Sequence, residues 1–214
     1  MIEVKGLCKG FDGRQVLHDV DAVFGTGRCN MIIGKSGSGK TVLLKNLIGL
    51  FSPDEGDILY DGESLVAMDE KQRKLLHQNI GVLFQGSALY DFATVLENVM
   101  FPMDFFTDWS YDEKLERARF CLDRVNITGS DGKYPSELSG GMQKRAALAR
   151  ALAFAEARNC GLILLDEPFA GLDAALHERM RELVLNAVKG RTTVLVTHDA
   201  EDVAPLSAKI LTLE

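Results

Sequence analysis

A chain of 214 residues that is 46% hydrophobic can bury a sizeable core, and its length suits one large domain or two small ones; one domain with an inserted lobe is expected. The net charge of −7 supplies no basic stripe, so no nucleic-acid partner is expected. The start Met1-Ile2-Glu3-Val4-Lys5 carries charge where a signal peptide needs an apolar run, no window approaches about 18 consecutive apolar residues, and Cys8, Cys29, Cys121 and Cys160 lack zinc or redox spacing, which predicts a cytosolic chain with buried free thiols and no membrane span of its own.

Alternating apolar residues at Ile2-Val4, then from Gln15-Val16-Leu17 through Val20-Ala22-Phe24, predict N-terminal strands with turns at Phe11-Asp12-Gly13 and Gly25-Thr26-Gly27. The apolar strand Met31-Ile32-Ile33 then runs into Gly34-Lys35-Ser36-Gly37-Ser38-Gly39-Lys40-Thr41, a full match to G-x-x-x-x-G-K-[ST]. Glycines there let a triphosphate lie against inward-pointing backbone N–H groups, reinforced by the positive end of the following helix. Lys40 would reach the β- and γ-phosphates, and the Thr41 hydroxyl would offer an oxygen to Mg²⁺, with Val42 continuing the phosphate-bearing turn.

A helix from Val42 to Leu50, ended by Phe51-Ser52-Pro53, is expected next, followed by a short strand between Gly56 and Gly62 and a buried strand Ile80-Gly81-Val82-Leu83-Phe84 that leads into Gln85. From 86 to 141 helical spacing of Leu115, Ala118, Leu122 and Val125 in a charge-rich segment predicts an inserted helical lobe. The remainder alternates: a helix from Met142 to Ala157, an apolar strand Leu162-Ile163-Leu164-Leu165, a helix from Ala174 to Val188 and a strand Thr193-Val194-Leu195-Val196. Such alternation implies a mostly parallel sheet with the site at strand C-termini.

Two further motifs carry chemistry. The strand ending in Asp166-Glu167-Pro168 delivers adjacent carboxylates, Asp166 for the Mg²⁺ shell and Glu167 to polarise the water that attacks the γ-phosphate. In Leu138-Ser139-Gly140-Gly141-Met142-Gln143-Lys144-Arg145, Ser139 could be an ordinary N-cap, but capping does not ask for two glycines, which instead allow close backbone approach to an anion. Lys144 and Arg145 read as a solvated helix face.

A P-loop, then Leu-Ser-Gly-Gly, then an apolar Asp-Glu-Pro strand, in that order over essentially the whole chain, resembles the ATP-binding-cassette (ABC) ATPase family. The resemblance implies an α/β P-loop NTPase fold: a RecA-like parallel sheet with an N-terminal antiparallel β subdomain (together 1–85 and 142–214) and an inserted α-helical subdomain (86–141). It implies ATP and Mg²⁺ as ligands. Gln85 then matches the glutamine that contacts Mg²⁺ and water and senses the helical lobe, Ala170-Gly171-Leu172-Asp173 the D-loop, and His198 the histidine that reads the γ-phosphate. Phe11 takes the place of the aromatic that stacks on adenine, with Val16 near the ribose. His18, His77 and His177 have no such placement and read as ordinary surface or core residues.

Family members pair head to tail, each nucleotide lying between the P-loop of one copy and the Ser139-Gly140-Gly141 segment of the other. Geometry agrees, since two phosphate-facing helix starts in one small chain are most simply explained by two copies completing two composite sites. Segments 39–45, 83–91 and 138–145 are similar to the Mla/Mce-type lipid-transport ATPases. The implied protein is the ATP-hydrolysing subunit of an ABC transporter, on the inner face of the cell membrane and docked through Leu89 to Phe106 on an integral membrane permease. The alternative is a non-transport ABC ATPase of the cell-division type, acting by ATP-dependent dimerisation. The sequence stops at Leu211-Thr212-Leu213-Glu214, where relatives usually add a hairpin, a helix and often a tail.

Overall fold

The computed structural model describes residues 1–198 and 209–213. In chain order these form β1 (Ile2–Phe11), β2 (Arg14–Phe24), β3 (Cys29–Gly34), α1 (Lys40–Leu47), β4 (Glu55–Tyr60), β5 (Glu63–Ser64), α2 (Glu70–His77), β6 (Ile80–Leu83), α3 (Val95–Phe106), α4 (Tyr111–Arg124), α5 (Gly140–Ala157), β7 (Leu162–Asp166), α6 (Ala174–Ala187), β8 (Thr192–Val196) and β9 (Lys209–Leu213). The backbone divides into two units, Met1–His77 with Val188–Glu214, and Gln78–Ala187.

In the first unit, Asp12 and Gly13 both take positive φ (50° and 77°), the mirror-image turn whose twist matches that of paired strands. It closes the antiparallel β1–β2 hairpin with Phe11 opposite Arg14. β4 pairs with the other edge of β1, and β5 with β4, giving the order β2-β1-β4-β5. Where β4 begins, a Cβ on Gly56 would lie 2.3 Å from the Gly6 carbonyl, so only glycine lets the two backbones meet there. Ile2, Val4, Leu7, Leu17, Phe24 and Ile58 are buried along these strands.

The same unit holds β3 between two parallel neighbours, β8 and β9, with Ile32 opposite both Val196 and Leu211. Met31, Ile32, Val194, Leu195 and Val196 are almost wholly buried, as expected of strands covered on both faces. α1 ends earlier than Phe51-Ser52-Pro53 suggests. Gly49, at φ +70°, terminates it, and Leu50 N–H turns back to the Lys45 carbonyl. α2 had no counterpart in the predicted elements, although Asp69 and Gln72 cap its start reciprocally, each side chain accepting the other's backbone N–H (2.7 and 2.9 Å).

In the second unit β6 and β7 pair in parallel from Ile80 opposite Leu162 to Leu83 opposite Leu165. α5 crosses this pair with alanines at 146, 147, 149, 151, 153 and 155 all buried. A Cβ on Gly81 would sit 2.9 Å from Ala155 Cβ, so the small residues set how close helix and strand lie. α3 and α4 pack on α5, and each starts with a reciprocal cap, Thr94 with Glu97 and Ser110 with Glu113. Glu156 on α5 accepts from Arg117 and Arg124 of α4, both at 2.7 Å. All four cysteines are thiols outside disulfides; three are buried and Cys8 is half-buried.

Candidate functional site

β3 delivers its chain directly into the P-loop, and the turn is held from inside. Lys40, 8% exposed as a residue, donates through its ammonium to the Gly34 carbonyl (2.7 Å) and the Lys35 carbonyl (2.9 Å). Ser38 N–H closes on the Lys35 carbonyl at 3.2 Å, and Leu43 N–H on that of Gly39 at 2.8 Å, so the loop passes into α1 without a side-chain cap. Lys35, Ser36 and Gly37 are exposed, while Thr41 and Val42 are half-buried in the first turn of α1. Gly39, at φ +91°, packs so closely on the preceding hairpin that a Cβ would meet Leu17 Cδ2 at 2.7 Å and Val16 Cγ1 at 3.2 Å. Val16 is thus brought beside the P-loop.

An anionic phosphate fits this donor set. An ammonium has three N–H donors and two are used on carbonyls, leaving one for a ligand. The Ser38 hydroxyl is buried with no hydrogen-bond partner among the described residues. At Gly37, φ +82°, a Cβ would enter open space, so the outer rim of the loop is bare backbone.

Phe11 stands at the tip of the hairpin, 39% exposed, with its edge against Phe51 at 5.1 Å and the Lys9 ammonium 5.4 Å from its centroid. Asp54 anchors this tip, accepting from Lys9 Nζ and Gly10 N–H, both at 2.7 Å. Those two bonds hold the Asp54 carboxyl below its ordinary pKa. His198, at the end of β8 after the buried Thr197, is exposed in the same unit.

The second unit carries the other candidates. Asp166 closes β7 at 1% exposure, and Glu167 follows at φ 50°, a left-handed backbone that turns the chain sharply out of the strand. Gln85 is exposed just beyond β6. Ser87 and Ala88 after it also have positive φ (59° and 49°), and the Arg150 guanidinium holds both carbonyls, at 3.0 and 2.8 Å. The buried Asn98 amide pins the following stretch, accepting from Tyr90 N–H at 2.7 Å and donating to the carbonyls of Tyr90, Ala93 and Thr94, each at 3.0 Å.

Ser139 caps α5, its hydroxyl accepting from Met142 N–H at 3.3 Å. A Cβ on Gly140 would meet no atom within 4 Å, and one on Gly141 would reach the Gly171 carbonyl only at 3.9 Å. Lys144 and Arg145 are not a solvated face. Lys144 Nζ donates to the Ala170 carbonyl at 2.7 Å, and Arg145 to those of Val125 (3.2 Å), Asn126 (2.6 Å) and Gly141 (3.3 Å). Sequence reasoning missed both because all their acceptors but Gly141 are backbone atoms of turns distant in sequence, which no residue pattern marks. His177 and His77 are ordinary packing groups, the first edge-on to Phe169 at 5.3 Å, the second with Nε2 2.7 Å from the Ile48 carbonyl.

Among the described residues no group of three or more His, Cys, Asp or Glu side chains could hold a metal ion, and no helix is long and apolar enough to cross a membrane.

A glycine-bounded phosphate cradle feeding a helix, beside strands of a parallel sheet, defines a P-loop nucleotide-binding protein. The ABC transporter family model matches residues 17–170, and the chain belongs to this family. It is 36% identical over 217 aligned positions to the sulfate/thiosulfate import ATP-binding protein CysA 1 of Agrobacterium fabrum, covering 99% of this chain and 60% of the relative. It is 38% identical over 200 positions to the probable ribonucleotide transport ATP-binding protein mkl of Mycobacterium leprae, covering 92% and 56%. The chain therefore spans less than two thirds of the length of these curated relatives. Among solved structures, a dimeric post-hydrolysis state of the ATP-binding cassette MJ0796 bound to ADP and Pi superposes with a TM-score of 0.89 at 31% identity, covering 100% of this chain and 94% of that one. The P-loop NTPase fold of a cassette is thereby established.

Proposed function

We propose that this chain binds and hydrolyses ATP as the energy-coupling subunit of an ABC transporter. The observation that carries the reading is the P-loop: a buried ammonium that uses two donors to brace the loop and keeps one for a phosphate, beside an unpartnered buried hydroxyl. In this reading Lys40 neutralises the β- and γ-phosphates, backbone N–H groups of 34–41 cradle them, and Phe11 stacks on the adenine with Val16 near the ribose. Thr41, Gln85 and Asp166 serve Mg²⁺, which when bound draws charge from the phosphates. Glu167 takes the proton of the attacking water, and His198 reads the γ-phosphate.

The chain works with a second copy in a head-to-tail pair. Gly140 supports this. Among the described residues no atom of its own chain requires glycine there, whereas a phosphate approaching from another copy would. Two solved cassettes that superpose on this chain are dimers. The pair docks, through the helical subdomain 86–141, on an integral permease at the inner face of the cell membrane. The supporting feature is a run of rings in contact, Tyr90, Phe92, Phe101, Phe105 and Phe106, of which Phe92 and Phe105 are 77% and 66% exposed, contiguous apolar groups of the kind that mark a protein contact. Lipid is the proposed cargo, on the strength of segments 39–45, 83–91 and 138–145; the relatives' names speak of sulfate or thiosulfate and of ribonucleotide.

Glu167→Gln tests the reading. The amide keeps the shape and removes the base, so ATP binding should persist while turnover falls by about 10²- to 10⁴-fold and an ATP-bound dimer accumulates. Near wild-type turnover in this variant would move the base elsewhere.

A further inference from the structure

The helix that begins at Ser139-Gly140-Gly141 and the turn that follows the proposed base are joined by one side chain. Lys144 lies one turn into α5, four residues after Gly140, and its ammonium donates to the Ala170 carbonyl at 2.7 Å. Ala170 is not an arbitrary anchor. Its own N–H bonds back to the Glu167 carbonyl at 3.3 Å, closing the turn Glu167-Pro168-Phe169-Ala170. The Glu167 end of that turn holds its left-handed φ of 50°, a conformation a non-glycine residue keeps only where its surroundings fix it. Phe169, 4% exposed, locks the middle of the turn against His177. Beyond it, Gly171 has φ +78°, and Asp173 caps α6 by accepting from Leu176 N–H at 3.0 Å. A Cβ on Gly171 would lie 3.8 Å from the Lys144 ammonium, so the turn presents its smallest residue to the cation.

The alternatives for Lys144 are weaker. A solvated lysine would leave its ammonium in water, and a half-buried one serving only to pack its stem would not place Nζ at the short end of hydrogen-bond distance from a carbonyl. We propose that Lys144 is a positioning residue for ATP hydrolysis: its tether to the Ala170 carbonyl fixes the turn that aims the Glu167 carboxylate, and so couples the start of α5 to the base within one chain. This rests on the reading of Glu167 as the base. A charged donor to a carbonyl is worth more than a neutral one, and a reacting group displaced by a fraction of an ångström loses rate while nucleotide binding at the P-loop is untouched.

The test is steady-state turnover beside ATP-analogue affinity and thermal midpoint in wild type, Lys144→Met, Lys144→Arg and Glu167→Gln. Methionine keeps the apolar stem and removes the donor, and turnover should fall about 10-fold with analogue affinity near wild type, beside the drop of several degrees in midpoint that loss of a charged hydrogen bond brings. Arginine restores a donor and should recover most of that loss. Turnover of Lys144→Met within about twofold of wild type would overturn the proposal. So would a loss that arginine does not rescue, or one that appears as weaker analogue binding, since Lys144 would then only hold the fold. If Glu167→Gln itself turned over like wild type, the assignment of the base would fail instead, and the two failures are distinguishable in one experiment.

Discussion

Gly37 and Gly39 lie two residues apart in the P-loop with nearly the same left-handed backbone, φ +82° and +91°, but with opposite surroundings. Alanine at either position carries the left-handed penalty of about 1–2 kcal/mol. At 37 its Cβ enters open space, and nothing further is added. At 39 the Cβ would lie 2.7 Å from Leu17 Cδ2 and 3.2 Å from both Val16 Cγ1 and the Val16 carbonyl, and Leu17 is 1% exposed with no room to retreat. Overpacking of that kind adds about 1–3 kcal/mol. Gly39→Ala should therefore melt below Gly37→Ala by roughly 2–12 °C, at the 2–4 °C per kcal/mol usual for a chain of this size. Scanning calorimetry on both variants measures it. Equal midpoints would refute the claim that the β1–β2 hairpin packs against the loop, and with it the placement of Val16 beside the nucleotide.

Lys40→Ala removes the ammonium that braces the loop and meets the phosphates, so affinity for a labelled ATP analogue should drop by at least about 10²-fold; unaltered binding would disprove the P-loop assignment. Glu156→Gln leaves two guanidinium groups facing a neutral amide at sites that are a fifth to a third exposed, and should cost about 1–2 kcal/mol in urea unfolding without changing ATP affinity. A loss of affinity equal to the loss of stability would mean that the α4–α5 contact serves the site rather than the lobe.

What was legible in the sequence was local chemistry. The P-loop, the all-apolar strand ending in Asp166-Glu167 and the Ser139 cap each announce themselves in a few consecutive residues, and the structure puts them on β3–α1, β7 and the start of α5. The Asp12-Gly13 turn was visible for the same reason. α2 escaped because none of its residues is buried, leaving no apolar stripe, although the reciprocal cap of Asp69 and Gln72 was there to be read. β9 escaped because a five-residue edge strand has too few residues to show its period. Lys144, Arg145 and Arg150 were illegible in principle: each donates to backbone carbonyls, and a carbonyl carries no side-chain signature.

Whether two copies share each site is decided most directly by mixing two variants expected to be inactive alone, Lys40→Ala and Ser139→Arg. In a head-to-tail mixed dimer both lesions fall in one composite site and the other is wild type. Mixing should restore part of the ATPase activity, together with ATP-dependent dimer formation measured alongside it. If mixed dimers form and neither returns, Ser139 serves its own chain, as the cap it already provides to α5, and the shared-site account is wrong.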